Sequence, residues 1–162
     1  MASKTFPTRN DLPADARTKL VDLIVQQLAD TIDLHSQTKY AHWNVKGPTF
    51  IALHKLFDEL AEELEEAIDD IAERATALGG VASGTLRQGA ATSRVPEVPA
   101  DTFAAQAVVE ALAVRFAHVA KSTRAAIDAT DKLGDADTAD LFTDVSRELD
   151  KSLWFLEAHL QG

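Results

Sequence analysis

The chain has 162 residues, with 16 Lys and Arg against 26 Asp and Glu, for a formal charge of −10. That length fits one domain, and 46% hydrophobic with 26% charged residues is the balance of a globular rather than a disordered protein. The absence of cysteine excludes disulfide scaffolds, thiolate catalysis, iron–sulfur clusters and Cys-type zinc sites, and the acid excess argues against generic affinity for nucleic acid or anionic membrane. No apolar run reaches signal-peptide or membrane-span length, so a soluble cytoplasmic protein is expected. Any metal chemistry must rest on carboxylates and imidazoles.

Glycine, proline and short polar clusters divide the chain into a short N-terminal tail over 1–12 and a helical domain over 13–162. The first helix opens at Asp11-Leu12-Pro13, where a proline at the first position has its φ already set. Leu20, Leu23, Ile24, Leu28 and Ile32 continue it at three- and four-residue spacing towards Asn44, and Gly47-Pro48 ends it. Thr49 can cap a second helix carrying Leu53, Phe57, Leu60, Leu64, Ile68, Ile71 and Leu78, closed by Gly79-Gly80 in a left-handed C-cap. Residues 80–101 read as a long connection in which Thr85 to Ala91 can form a short helix. A third long helix runs from near Asp101 to Leu133, and a fourth, expected to be capped by Asp137, reaches the C-terminus. Short, long and short connections between four helices predict two antiparallel hairpins joined by a crossover. The fold class is all-α, a ferritin-like four-helix bundle with a long crossover between the second and third long helices.

The second helix is chemically unusual. Between Asp58 and Glu73 it places nine acids in sixteen positions, with no Lys or Arg among them. Like charges three or four residues apart repel, so a solvated helix face normally mixes signs. At about 100° per residue, His54, Asp58, Glu62, Glu65, Asp69 and Glu73 fall on one stripe, centred roughly 130° from the apolar face. These side chains therefore point away from the bundle core. No Glu-x-x-His occurs, which disfavours a di-iron centre inside the bundle. His42, just before the turn, can approach His54 and Asp58, and imidazole with carboxylate suits Fe(II) or Zn(II). Asp69 lies eleven residues beyond Asp58, about 16 Å along a straight helix, too far for one ion to reach both. A two-fold axis across this helix would solve the spacing: His42, His54 and Asp58 of one subunit would face Asp69 and Glu73 of the other.

The runs His42-Trp43-Asn44-Val45-Lys46-Gly47-Pro48, Phe50-Ile51-Ala52-Leu53-His54 and Asp69-Asp70-Ile71-Ala72-Glu73-Arg74, followed by Leu78-Gly79-Gly80, closely resemble the Dps family of bacterial mini-ferritins. Thr8-Arg9-Asn10-Asp11, Thr138-Ala139-Asp140 and Leu149-Asp150-Lys151-Ser152-Leu153-Trp154-Phe155 extend the resemblance over nearly the whole chain. It implies a hollow dodecamer with 23 symmetry, inter-subunit ferroxidase centres that oxidise Fe(II) preferentially with hydrogen peroxide, and storage of the ferric product in the shell. Iron is the only cofactor implied, with no organic one. The ligands implied are His42, His54 and Asp58, facing Asp69 and Glu73 of a second subunit.

Trp43 matches a tryptophan beside the family's centre, where interface packing accounts for it at least as well as a redox part. For the passage of iron into the shell the resemblance points to Asp140 at a three-fold pore, with Asp131 and Asp135 matching loosely. His35 suits a surface or interface role; His118 and His159 are not site candidates. The segment before the first helix holds only Lys4 and Arg9, and twelve copies would carry about −120 formal charge, so DNA binding is doubtful. The competing expectation is a nucleoid-associated architectural protein that binds DNA and has little ferroxidase role.

Overall fold

The computed structural model describes residues 4–161; residues 1–3 of the expected tail and residue 162 lie outside that range. It contains α1 (Ala14–Asn44), α2 (Phe50–Ala77), α3 (Leu86–Thr92), α4 (Ala105–Lys132) and α5 (Ala136–Ala158). Among the described residues there is no strand, only an isolated bridge between Lys46 and Ala104. No helix among them is long and apolar enough to cross a membrane. α1 packs along α2 and α4 along α5, and the crossover bearing α3 joins the two hairpins. This is the ferritin-like bundle that the helix pattern predicts.

The core runs through the middle of all four long helices. Leu20, Ile24 and Leu28 of α1 meet Leu53, Phe57, Leu60 and Ile71 of α2, Leu112 and Phe116 of α4, and Phe142 and Leu156 of α5. Each such side chain, fully removed from water, contributes about 1.5–3 kcal/mol.

Polar clamps hold the crossover onto this core. Asp30 of α1 is completely buried and accepts the Arg94 backbone N–H at 2.8 Å and its guanidinium at 3.0 and 2.5 Å. Arg115 of α4 donates to the carbonyls of Pro96 and Glu97 at 3.2 and 2.5 Å. Thr85 and Gln88 form a capping box that starts α3, which lies against α1. The N-terminal segment is docked too: the Phe6 N–H donates to the Gly79 carbonyl at 2.7 Å. Gly79 has φ +84°, and a Cβ there would stand 2.6 Å from the Phe6 carbonyl oxygen, so both conformation and space require glycine.

Two boundaries differ from the sequence expectation. α4 starts at Ala105 rather than near Asp101, because Lys46 takes the Phe103 carbonyl and gives its own to Ala105 N–H, holding the preceding residues extended. α5 is capped by Asp135, not Asp137. Gly134 at φ +84° turns the chain sharply after α4, bringing Asp135 into position to accept the Thr138 N–H at 3.2 Å.

Asp135 is 2% exposed and also accepts from the Thr138 hydroxyl and from Arg74 of α2 at 2.7 Å. Burial pushes its carboxyl up, but the hydrogen bonds from Thr138 and Arg74 outweigh that and hold it below the usual carboxylate range. A carboxyl that titrates lower when folded than when unfolded stabilises fully above its unfolded value near 4, and the contribution is lost as pH falls through the folded pKa. Asp135→Ala is therefore expected to cost about 2–4 kcal/mol at neutral pH, since it removes a cap and strands Arg74. In thermal denaturation the gap between wild type and variant should be full at pH 7 and should narrow below about pH 4.

Candidate metal centre at the α1–α2 hairpin

α1 ends at Asn44 because Gly47, at φ +130°, and Pro48 turn the chain back into α2. The turn places His42, in the last helical turn of α1, beside His54, in the second turn of α2. Their rings stack with centroids 3.8 Å apart and planes inclined by 19°. His42 Nδ1 donates to the His54 carbonyl at 2.7 Å, and His54 Nδ1 donates to the His42 carbonyl at 2.9 Å. A carbonyl can only accept, so both Nδ1 atoms carry hydrogen, and in the neutral form of each ring the lone pair is on Nε2. The His42 carbonyl is one of the last four of α1, which have no partner within the helix, and His54 supplies one.

Asp58 lies one turn beyond His54. Its Oδ1 is 3.9 Å from His42 Nε2 and 2.6 Å from Lys39 Nζ. The hydrogen bond from Lys39 is the main reason that the Asp58 carboxyl sits below the usual range; the nearby imidazoles act in the same direction. His35, one turn before Lys39, is half-buried; that burial lowers its pKa, Glu65 opposes the shift, and Lys39 reinforces it. His42, His54 and Asp58 are thus brought together. Lys39 was absent from the sequence-derived candidates, although its place three residues before His42 puts it on the same helix face.

Asp69 and Glu73 are exposed on the same side of α2, about 16 Å further along its axis. Asp69 borders an open groove with Glu62, Glu65, Glu66 and Ile68. Among the described residues of one chain, no group of three or more His, Asp or Glu comes within metal-binding reach. Around the α1–α2 turn, Trp43, Phe50 and Ile51 are 63%, 39% and 59% exposed. Apolar exposure of that size beside a polar half-site suits a surface that another protein covers.

Of the pore candidates, Asp131 and Asp140 are exposed on either side of the α4–α5 turn. Asp135 is not available to a cation: its carboxylate faces inward and is committed to Arg74 and Thr138. That placement corrects its assignment to the pore set.

A ferritin-like domain model matches residues 21–162. The chain is 47% identical over 158 residues to the DNA protection during starvation protein of Agrobacterium fabrum, covering 98% of each. The chain belongs to the Dps family. Against another member, the DNA protection during starvation protein of Mycolicibacterium smegmatis, identity is 34% over 164 residues, covering 100% of this chain and 86% of that one. Among solved Dps structures, DpsA14 from Streptomyces coelicolor superposes with a TM-score of 0.93 at 34% identity, covering 100% of this chain and 96% of the other. The fold found here is therefore the Dps subunit fold over the full described length.

The reciprocal histidine pair should also stabilise the metal-free hairpin. His54→Ala removes the ring N–H that satisfies the His42 carbonyl, while the His42 Nδ1–H keeps the backbone carbonyl of residue 54, and the change is expected to cost about 1–3 kcal/mol. Thermal denaturation in the presence of a chelator measures this without any contribution from bound metal.

Proposed function

We propose that this Dps-family chain is an iron-storing and iron-detoxifying mini-ferritin of the cytoplasm or nucleoid. It assembles as a dodecamer and oxidises Fe(II) at centres shared between two-fold-related subunits. One half of each centre is His42, His54 and Asp58; the other is Asp69 and Glu73 of the partner. The observation that carries the reading is the half-site at the α1–α2 hairpin. Two imidazoles locked with Nε2 free, beside one carboxylate, form an incomplete ligand set for a transition-metal ion. The carboxylates that would complete it lie on the same stripe of α2, beyond the reach of the same chain.

Two Fe(II) ions are the substrate, and hydrogen peroxide is the preferred oxidant. Peroxide accepts one electron from each ion and leaves as two hydroxides, giving two Fe(III) without a hydroxyl radical. Asp69 and Glu73 offer two negative charges and hold an ion most strongly, while the His42, His54 and Asp58 half holds its ion more weakly. The protein contributes placement and charge compensation rather than proton transfer. Asp140, with Asp131 nearby, lines the route inward at the α4–α5 turn, and the ferric product is stored inside the shell.

Direct DNA binding is weak in this reading. Lys4 lies over the Phe6 ring at 4.9 Å, and Phe6 is hydrogen-bonded to Gly79, so the basic residues ahead of α1 sit on a docked segment. Protection of DNA then follows from removal of Fe(II) and peroxide together. A gel-shift titration at about 0.15 M salt should show no retardation of duplex DNA; clear retardation would favour the nucleoid-architecture reading instead.

Asp69→Ala and Glu73→Ala should each abolish saturable, peroxide-dependent Fe(II) oxidation, followed by ferric absorbance under anaerobic addition of peroxide. An unchanged rate in either variant would sink the ligand assignment. Mass measurement of the iron-loaded particle tests the shell and the storage together.

A further inference from the structure

We propose that Lys39 is a built-in cation surrogate that keeps the His42, His54 and Asp58 half of the centre weak, so that its ion binds second and only by displacing the lysine. This deepens the site reading above and rests on it.

The geometry is specific. Lys39 Nζ stands 2.6 Å from Asp58 Oδ1, the same oxygen that lies 3.9 Å from the free Nε2 of His42. The ammonium therefore holds the same carboxylate oxygen that an ion shared between Asp58 and His42 would need. The Asp58 side chain remains 44% exposed beside Lys39, so an incoming ion can still reach it. Lys39 and His42 are three residues apart on α1, and Asp58 faces both from α2, so the rigid hairpin fixes the arrangement rather than a mobile loop.

The chemistry follows from charge. A lysine ammonium is a compact point charge on a flexible four-carbon stem, able to fill a cation position and to leave it by rotation. With the lysine in place, an incoming dication meets a carboxylate and an ammonium whose charges cancel, beside two imidazoles. Without it, the same ligands carry a full negative charge. Asp69 and Glu73 have no comparable lysine on α2, whose stretch from Asp58 to Glu73 contains no Lys or Arg. The two halves of the centre therefore differ in resident charge before any ion arrives. Lys39 also supplies a counter-charge to the acidic stripe of α2 when no metal is bound.

The test uses the assembled protein under anaerobic conditions, with Zn(II) as a redox-inert probe and Fe(II) in parallel, followed by isothermal titration calorimetry. Wild type should bind one tight ion and one weak ion per centre. Lys39→Met keeps the stem and removes the charge; it should tighten the weak ion by about tenfold or more, the scale of one unit charge a few ångströms from a dication in a high-dielectric setting. Lys39→Arg keeps the charge and should leave the second ion weak. Asp69→Ala should remove the tight ion whether residue 39 is lysine or methionine. If Asp69→Ala leaves Zn(II) binding unchanged, the site reading itself fails. If Asp69→Ala removes the tight ion but Lys39→Met leaves the weak affinity within about twofold of wild type, or weakens it, the lysine proposal alone is overturned. The lysine proposal is equally overturned if Lys39→Arg tightens the second ion as much as Lys39→Met does.

Discussion

Where α1 meets α2, the imidazoles of His42 and His54 lie 3.8 Å apart, and each donates a hydrogen to the other's backbone carbonyl. This contact does two things at once. It satisfies an orphan carbonyl at the end of α1, and it determines which nitrogen of each ring is left to bind anything else. The turn through Gly47 and Pro48 is in turn tied to the start of α4, through Lys46, Phe103 and Ala105. The bundle's second hairpin, the end of the crossover and the half-site at the first hairpin are thus mechanically continuous.

The acidic stripe of α2 becomes intelligible in that setting. One helix does not hold nine carboxylates in sixteen residues without cost, and the structure compensates them unevenly. Glu63 is paired with Lys151 of α5 at 3.0 Å; that lysine is shared with Glu148, and its pKa is pushed up to about 12. Asp58 is paired with Lys39 of α1. Asp69 and Glu73 remain exposed further along the helix.

At the other end of α2, Arg74, the residue after Glu73, reaches across to Asp135 and Thr138 at the α4–α5 turn. Buried charge of this kind contributes little net stability unless it is fully paired, and here each group is. Its consequence is positional: the end of the helix that bears Asp69 and Glu73 is held against the turn that bears Asp131 and Asp140.

Much of this was legible in the sequence. Apolar spacing located the four long helices, Gly79-Gly80 marked the end of the second, and the lengths of the connections distinguished a crossover bundle from a plain up-and-down one. The period of α2 alone separated its acids from its core face, and the His-Trp-Asn and Asp-Asp-Ile-Ala-Glu runs pointed to the Dps family. These are local properties, set by backbone geometry and side-chain period within a single helix. Three things were decided only by tertiary structure, because each depends on which residues of different helices come within about 3 Å. The α4–α5 turn chose Asp135 over Asp137 as the cap, and by burying it against Arg74 took it away from any pore. The hairpin chose the tautomer of both histidines. It also set Lys39 on Asp58, a pairing across nineteen residues of chain that no spacing rule along one helix can reveal.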